Sequence, residues 1–393
     1  MSTTEAISMD VIESDERQAL RTTVSDLGKQ FGPEYMREKI AAGEGPTELW
    51  KAAGDLGLIG VNIAEQYGGG GAGMYELGIV GEELAAVGSS LLMLVVSPAI
   101  NGTIISRFGT EEQKQRWLPG IASGETIAAF AITEPDAGSN SHRITTTARR
   151  DGDDWIISGQ KTFISGIELA DVILVVSRSE DAKTGKLRPA LFLMPTDSPG
   201  LQKTKIPMEV GLPESQWTLF FDDVRLPAEA LVGEPDAAIA QLFAGLNPER
   251  IMAAAGSVGS ARYAIDRAVA YAKERTVFKV PIGAHQAIAH PLAELKVETE
   301  LAKLMLQKAA TLYDAGQEFA AAEAANMAKF AGGEAGAKAV DRAIHSLGGN
   351  GLTTEYGLAQ MLVASRLFRI APVSREMVLN FISEHSLGLP KSY

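Results

Sequence analysis

The chain has 393 residues, of which 46% are hydrophobic and 6% aromatic, and its formal net charge is −13. A chain of this length usually divides into more than one subdomain. The acidic balance argues against nucleic acid and anionic membrane surfaces as partners, but a local basic patch could still hold a small polyanionic ligand. The sequence contains no cysteine, which excludes disulfides, thiolate nucleophiles and thiolate metal ligands.

No targeting signal is evident in the sequence. Residues 1–17 are polar and acidic and lack the basic start and apolar core of a signal peptide. The longest apolar run, residues 90–100, is too short to span a bilayer. A cytoplasmic location is therefore expected.

The first third of the chain has the apolar periodicity of helices, over residues 15–31, 47–56, 74–87 and 91–108. A further helix is predicted to begin after Thr110, because its side chain can cap the helix and Gln113 can complete a capping box. Pro119 and Gly120 predict that this helix ends at Leu118.

After residue 125 the chain changes to short segments rich in β-branched and aromatic residues, at 127–132, 145–150, 155–161, 172–177, 190–195 and 217–224. The run Asp151-Gly152-Asp153-Asp154 predicts a hairpin turn. No helices alternate with these segments, so an all-β middle domain is predicted rather than a Rossmann sheet. Residues 68–73 formally match a dinucleotide-binding glycine pattern, but no βαβ unit surrounds them, and a loop is predicted.

From residue 235 the chain is helical again. Long Ala-rich segments at 251–275, 287–315 and 318–347 have the heptad-like spacing of a helical bundle. A last helix or helix pair is predicted over 363–385, broken at Pro372. The predicted fold class is α+β multidomain: an N-terminal all-α domain over 1–125, a middle β-barrel-like domain over 126–234, and a C-terminal four-helix bundle over 235–393.

Two loops could bring backbone N–H groups to a ligand. Residues 132–140 leave a predicted strand and carry the hydroxyls of Thr133 and Ser139, which suits a polar ring edge or a phosphate, although an ordinary turn is an equal alternative. Residues 348–351, Gly-Gly-Asn-Gly, could approach a pyrophosphate, or could simply end a helix. The five histidines form no metal-like cluster with carboxylates, and no metal site is predicted.

Six motifs taken together are more specific than either loop. In chain order they are Gly109-Thr110-Glu111-Glu112-Gln113-Lys114 with Leu118-Pro119, Thr133-Glu134-Pro135 with Ala137-Gly138-Ser139, Gly159-x-Lys161-x-Phe163-Ile164, Phe221-Asp222-Asp223-Val224-x-Leu226-Pro227, Glu274-Arg275-x-x-Phe278 with Gln286, and Gly348-Gly349-x-Gly351. This combination resembles the acyl-CoA dehydrogenase family over essentially the whole chain. The resemblance implies that family's three-domain fold, FAD as cofactor, and a homotetramer or homodimer in which FAD is shared across subunits.

The resemblance also implies roles for matching positions. Thr133 would bind the flavin pyrimidine edge, and Ser139 would contact the FAD phosphates or the CoA arm. Phe163 and Ser165 replace a Trp and a Thr that cover the flavin and bind its N5 side. The remaining cofactor positions, matched to the FAD of a neighbouring subunit, to the pyrophosphate or to the adenosine half, are Arg275, Phe278, Gln286, His345, Gly348, Gly349, Ser374 and Glu376.

The chain departs from the family pattern at the catalytic base. Many members have the catalytic Glu where this chain has Pro372, which cannot accept a proton. A second branch, which includes the isovaleryl and long-chain enzymes, places the base just before an Arg on another helix. The matching residue is Glu249, followed by Arg250, which is also predicted to contact substrate. A solvent-facing Glu with no catalytic role is the alternative.

The helix around Glu249 has two possible forms. Asn247 could cap a new helix with Pro248 in its first turn, so that the helix dipole and Arg250 favour the ionised carboxylate. Otherwise Pro248 kinks a longer helix. An apolar thioester site would instead raise the pKa of Glu249.

Two further departures concern backbone groups. Lys279 replaces a Gly after the Phe of the cofactor loop, so this loop is expected to run differently. Pro372 has no N–H to hold the substrate carbonyl, so that donor is expected to shift to Val373 or another amide.

The resemblance implies α,β-dehydrogenation of an acyl-CoA thioester to the trans-2-enoyl-CoA, with electron-transferring flavoprotein as electron acceptor. Residues 90–96 would line the acyl tunnel, or would form an ordinary core helix. Two alternatives stay open: a flavoenzyme of the same fold with other chemistry (an acyl-CoA oxidase, an N-hydroxylase or a nitroalkane oxidase), and a non-catalytic flavoprotein or scaffold. The sequence also leaves open whether the acyl group is carried by CoA or by an acyl carrier protein.

Overall fold

The structure, a computed structural model, describes residues 12–180, 185–233 and 238–392. Its internal contacts define two compact units. The first contains the described parts of Met1–Arg37, Gly73–Ser90 and Arg250–Tyr393, and the second contains the described parts of Glu38–Ala72 and Leu91–Glu249. The linear division into three domains at residues 125 and 234 stays a prediction. Within the described ranges, no helix is both long and apolar enough to cross a membrane.

The first third is helical at the predicted places. Its elements are α1 (Asp15–Ala42), α2 (Thr47–Asp55), α3 (Met74–Ala86), a π-helix (Val95–Gly102), α4 (Thr103–Phe108) and α5 (Glu111–Ser123). α1 is interrupted at Gly32, whose φ of 70° and ψ of 177° are not helical. The segment predicted over 15–31 is therefore the part of α1 before this kink.

The capping box of α5 is confirmed. Thr110 Oγ1 accepts a hydrogen bond from Gln113 N, and Gln113 Oε1 accepts one from Thr110 N. The predicted end at Leu118 is wrong, because α5 continues through Pro119 to Ser123 and is followed by Gly124 with φ 80°. Leu118, Ile121 and Ala122 are buried, and this packing outweighs the helical hydrogen bond lost at Pro119.

The middle of the chain forms an eight-stranded sheet in the order β6-β7-β3-β2-β4-β5-β8, with β1 beside β4. Its strands are β1 (Ala128–Ala131), β2 (Thr147–Asp151), β3 (Asp154–Ser165), β4 (Val172–Glu180), β5 (Leu187–Pro195), β6 (Leu201–Ile206), β7 (Gln216–Leu226) and β8 (Leu231–Val232). The predicted hairpin turn joins β2 to β3, with Asp151 paired to Asp154 and Gly152 at φ 65°. β6 was not predicted, since none of its residues is buried.

The C-terminal region contains α6 (Ala238–Glu274), α7 (Gln286–Asp314), α8 (Glu318–Leu347), α9 (Leu358–Ile370) and α10 (Arg375–Phe381), with a short hairpin of β9 (Thr276–Val277) and β10 (Val280–Pro281) after α6. The predicted helical bundle and the break at Pro372 are confirmed. α6 and α8 approach closely at Gly332 and Gly336, where an added Cβ would meet backbone oxygens of α6 at 3.1 Å.

Buried ion pairs connect the N-terminal and C-terminal helices of the first unit. Arg21 of α1 and Arg262 of α6 both bind Glu82 and Glu83 of α3, which are 1% and 5% exposed. Each buried carboxylate therefore has a guanidinium partner, as a charge removed from water requires.

Candidate functional site

A buried ion pair holds the loop that carries Thr133. Lys161 Nζ donates to Glu134 Oε1 and to the Ile132 carbonyl, both at 2.9 Å. The Thr133 carbonyl accepts a hydrogen bond from Thr162 N at 2.9 Å. Thr133 is therefore positioned by its own backbone and by fixed groups on both sides of it, while Ser139 lies exposed further along the same loop.

Glu134 accepts hydrogen bonds from several donors in addition to Lys161. Its carboxylate accepts hydrogen bonds from Thr145 N, Thr145 Oγ1 and Thr146 N. Burial opposes ionisation, but these hydrogen bonds and the Lys161 charge prevail and lower the pKa of Glu134 to about 2. Glu134 is thus an ionised anchor for the loop at neutral pH, and not a proton acceptor.

Phe163 occupies an irregular point of β3. The β3–β7 register shifts between Lys161 and Ile164, and Phe163 has φ 56°, a left-handed conformation that is uncommon for an aromatic residue. Its side chain is 57% exposed. The bulge therefore presents an apolar ring at the surface, as a residue that covers a planar ligand would require.

Ser165 lies at the end of β3, opposite Gln216 of β7. Ser165 Oγ is 3.1 Å from Gln216 Oε1 and 2.9 Å from Gln216 Nε2. Glu168 fixes both chain neighbours of Gln216, because its carboxylate accepts from Ser215 N at 2.7 Å and from Trp217 Nε1 at 2.6 Å. The hydroxyl of Ser165 thus faces an amide that is held in place.

Glu214, in the segment before β7, is a buried carboxylic acid that no sequence motif indicates. Its Oε1 accepts from Leu92 N at 3.0 Å, whereas its Oε2 has no partner among the described residues. Burial raises the pKa of Glu214 to about 7, although the N–H groups of Leu92 and Met93 oppose this shift. Glu214 therefore ties this segment to residues 91–93, where the predicted acyl-lining stretch begins.

The first unit contains an open cleft of about 500 Å³ at the end of α8. Five predicted cofactor residues line it: Arg275, Phe278, His345, Gly348 and Gly349. Other lining residues were not predicted, and they include Tyr271, His285 and Asn350. Asn350 Nδ2 donates to Tyr271 Oη at 3.0 Å, which links the glycine turn to α6.

The hairpin of β9 and β10 carries Phe278 to the surface. Phe278 and Lys279 form its two-residue turn, with φ 53° and φ 72°. Positive φ at both positions is the geometry of a type I′ turn, which normally favours Gly or Asn. Lys279 adopts this left-handed conformation although it carries a Cβ. Phe278 is 87% exposed.

The other three predicted cofactor residues of the first unit do not line this cleft. Gln286 is the first residue of α7, next in the chain to His285. Ser374 caps α10, since its Oγ accepts from Met377 N at 3.3 Å. Glu376 lies in the first turn of α10 and is exposed. The roles of these three residues stay predictions.

Glu249 is a half-buried residue inside α6, directly after Pro248. α6 begins at Ala238, so the hypothesis that Asn247 caps a new helix is wrong, and the longer helix containing Pro248 is confirmed. Apolar packing explains the difference, because residues on both sides of Pro248, such as Ala244 and Ile251, are buried. Arg250 follows Glu249 and is also half-buried.

Pro372 follows Ala371 in a turn between α9 and α10. Lys329 of α8, which is 2% exposed, donates from its Nζ to the Val373 carbonyl at 2.5 Å. A buried ammonium thus fixes the residue after Pro372.

Sequence profiles of known families match nearly the whole chain. The N-terminal, middle and C-terminal domains of acyl-CoA dehydrogenases match residues 14–125, 129–224 and 239–387. The acyl-CoA dehydrogenase FadE12 of Mycobacterium tuberculosis is 66% identical over 382 residues, which cover 97% of this chain and 98% of the relative. The chain belongs to the acyl-CoA dehydrogenase family.

Solved structures of acyl-CoA dehydrogenases have the same fold. A glutaryl-coenzyme A dehydrogenase in complex with glutaryl-CoA superposes with a TM-score of 0.93 at 31% identity, covering 98% of each chain. A glutaryl-CoA dehydrogenase from Mycobacterium smegmatis in complex with FADH2 gives 0.88 at 28% identity, covering 97% of this chain and 96% of that one. The protein is therefore an oxidoreductase of a family that binds FAD.

The cleft fits a flavin dinucleotide on its own chemistry. A Cβ added at Gly348 or Gly349 would meet nothing within 4 Å, so the backbone there is open to a ligand. His285 Nε2 is buried and has no hydrogen-bond partner among the described residues. With Arg275 as a cation on the same cleft, these groups suit a pyrophosphate.

Proposed function

We propose that this acyl-CoA dehydrogenase oxidises an acyl-CoA thioester to the trans-2-enoyl-CoA, as in fatty acid β-oxidation. FAD, when bound, supplies an acceptor at flavin N5 for the hydride from the β-carbon. Glu249 is the base that removes the α-proton. The observation that supports this most directly is which residues occupy the two positions known for the base. Pro372 occupies the position where many members have their catalytic Glu, and a half-buried Glu249 occupies the alternative position.

In this proposal, Glu249 is the residue that takes up the α-proton. Its carboxylate takes the proton from the α-carbon and becomes a neutral carboxylic acid, while the electron pair of that C–H bond forms the double bond. A base for this step works best with a pKa near neutrality. Glu249 is half-buried in α6 and is followed directly by Arg250.

In the second unit, three residues would hold the isoalloxazine ring and a fourth would contact phosphate or CoA. Thr133 would bind the pyrimidine edge, Phe163 would cover the ring, Ser165 would bind the N5 side, and Ser139 would contact phosphate or CoA. The buried Lys161–Glu134 pair supports this assignment, because it fixes the Thr133 loop beside the bulge that presents Phe163.

In the first unit, the cleft would hold part of an FAD molecule shared with another subunit. Arg275, His345, Gly348 and Gly349 would contact its pyrophosphate, and Phe278 would pack on it. Gln286, Ser374 and Glu376 would add contacts from α7 and α10. This arrangement requires a homotetramer or homodimer. The 87% exposure of Phe278 supports it, because a phenylalanine so exposed in one chain is expected to be covered in the assembly.

The carbonyl oxygen of the thioester needs a hydrogen-bond donor as negative charge develops on it. Pro372 cannot supply an N–H, and Val373 is the next residue that can. Lys329 supports this assignment, because its contact with the Val373 carbonyl fixes the same residue. Arg250 would contribute to substrate binding, and electron-transferring flavoprotein would accept the electrons afterwards.

Anaerobic stopped-flow mixing of the FAD-loaded protein with a panel of acyl-CoAs tests this proposal. The panel would span short, long, branched and dicarboxylic acyl groups, with an acyl carrier protein thioester as one arm. A dehydrogenase loses its oxidised flavin absorbance with a preferred acyl-CoA, then reoxidises slowly in oxygen and rapidly with electron-transferring flavoprotein. Rapid reoxidation by oxygen would indicate an oxidase instead. Protein that takes up no FAD would contradict the proposal.

A further inference from the structure

Gln216 offers Ser165 both a hydrogen-bond donor and an acceptor. Ser165 Oγ lies 2.9 Å from Gln216 Nε2 and 3.1 Å from Gln216 Oε1. A hydroxyl has one hydrogen to donate and two lone pairs to accept with. Ser165 can therefore accept from Nε2 with its hydrogen turned away, or it can donate that hydrogen to Oε1. The same pair of residues supports both arrangements.

A flavin N5 requires both arrangements in turn. In oxidised flavin, N5 carries a lone pair and accepts a hydrogen bond. In reduced flavin, N5 carries a hydrogen and donates one. A hydroxyl that binds N5 in both oxidation states must therefore reverse its own direction between them. A residue that can only accept, or only donate, could satisfy that hydroxyl in just one of the two states.

We propose that Gln216 is the positioning residue that lets the Ser165 hydroxyl serve both oxidation states of the flavin. With oxidised flavin, Nε2 donates to Oγ and the hydroxyl hydrogen is directed to N5. With reduced flavin, Oγ accepts from N5–H and its own hydrogen is donated to Oε1. This inference rests on the proposed function, because it requires that Ser165 faces flavin N5.

The surroundings of Gln216 favour this role over a structural one. The side chain is 9% exposed, and the pair lies at the last cross-strand position of β3 and β7. Ser215 also accepts a hydrogen bond from Gly166 N at 2.9 Å, so the segments on both sides of the pair are joined through backbone atoms. The two strands do not depend on the Ser165–Gln216 contact to stay together.

The consequence is a specific effect on the flavin midpoint potential. Without the amide, the Ser165 hydroxyl can still donate to oxidised N5, but with reduced flavin its hydrogen loses an acceptor in a half-buried site. An unmet hydrogen bond there disfavours reduction. Removing the amide should therefore make the potential more negative. A tenfold fall in the ratio of reduced to oxidised flavin corresponds to about 30 mV for a two-electron couple.

The test is the midpoint potential of bound FAD, measured by dye equilibration on the intact holoenzyme. Gln216→Met preserves the volume and removes the amide, and Gln216→Asn withdraws the amide by one methylene. Both should shift the potential to more negative values, so either variant suffices if the other does not fold. Ser158→Ala is a matched control, because it removes a hydrogen bond to Asp223 between the same two strands at their far end. It should leave the potential unchanged.

A double-mutant cycle with Ser165→Ala shows whether Gln216 acts through Ser165. The Gln216→Met shift should disappear when Ser165 is already Ala. An unchanged potential in Gln216→Met, with a changed potential in Ser165→Ala, would overturn this inference and leave the flavin site intact. An unchanged potential in Ser165→Ala would overturn both the inference and the assignment of Ser165. Wild-type protein that takes up no FAD would overturn the proposed function itself.

Discussion

Lys161 Nζ lies 2.9 Å from Glu134 Oε1, and the two side chains are only 0% and 4% exposed. Removing one member of a buried pair leaves the other charge uncompensated, which costs about 3–5 kcal/mol. Lys161→Met should therefore lower the free energy of unfolding by that order and weaken FAD retention, because the Thr133 loop loses its anchor. Urea denaturation and flavin release on gel filtration would measure the two effects.

The control for Lys161 is Lys203→Met. Lys203 is exposed, and its Nζ donates to a backbone carbonyl, that of Thr196. Its loss should change the free energy of unfolding by less than about 0.5 kcal/mol. Equal effects of the two substitutions would contradict the role given to the buried pair.

The raised pKa of Glu214 should make the free energy of unfolding depend on pH, and replacing Glu214 should remove that dependence. Burial raises its pKa in the folded state from the ordinary 4.5 to about 7. Between these values the folded protein binds more protons at Glu214 than the unfolded chain does, so this group lowers stability as pH rises through that window. The full difference is up to roughly 3 kcal/mol.

Glu214→Gln should abolish that trend. The variant should gain stability relative to wild type as the pH rises from 5 to 8, with little difference at pH 5. Chemical denaturation of both proteins at several pH values would measure it, and the difference between them cancels the other titrating groups. A constant offset across this range would show that Glu214 titrates normally.

Lys279 occupies a backbone conformation that suits glycine. Its φ is 72°, in a turn whose other residue also has positive φ. A left-handed conformation costs a residue with a Cβ about 1–2 kcal/mol. Lys279→Gly should therefore raise the free energy of unfolding by about 1 kcal/mol. Lys273→Gly, in the last turn of α6, should lower stability by a similar amount. Destabilisation by both substitutions would contradict the strain assigned to Lys279.

An apolar stripe on α7 predicts contact with a second copy of the chain. Val297, Leu301 and Leu304 follow helical spacing and are 59%, 62% and 39% exposed. Leu301→Glu should reduce the mass measured by light scattering and lower FAD occupancy, since the cofactor is proposed to be shared. Leu187→Glu, at an exposed leucine on β5, should leave the mass unchanged. A wild-type monomer would contradict the shared FAD site.

The secondary structure was largely predictable because it follows local patterns. The capping box at Thr110 and the hairpin turn at Gly152 each use side chains or φ values that the sequence shows directly. The two errors have different causes. α5 continues past Pro119 because the residues around it are buried, and β6 is too polar to be recognised as a strand.

Residues of the candidate site were predictable only where they belong to a sequence motif. The resemblance identified Arg275, Phe278, His345 and the two glycines, which the structure brings into one cleft. Tyr271 and Asn350 complete that cleft from ordinary positions on α6 and a turn, with no local signal. The contact between Gln216 and Ser165 depends on the register of β3 with β7, and Glu214 contacts Leu92, which is distant in the chain; the sequence reveals neither.

The most direct test of the central claim is the rate of flavin reduction by acyl-CoA in Glu249→Gln, measured by anaerobic stopped flow. The substitution preserves shape but removes the proposed base, so reduction should slow by about 10²–10⁴-fold while FAD remains bound. Asp266→Asn, at an exposed position of α6, is the matched control and should reduce at the wild-type rate. Reduction of the Glu249→Gln flavin at the wild-type rate would show that Glu249 is not the base.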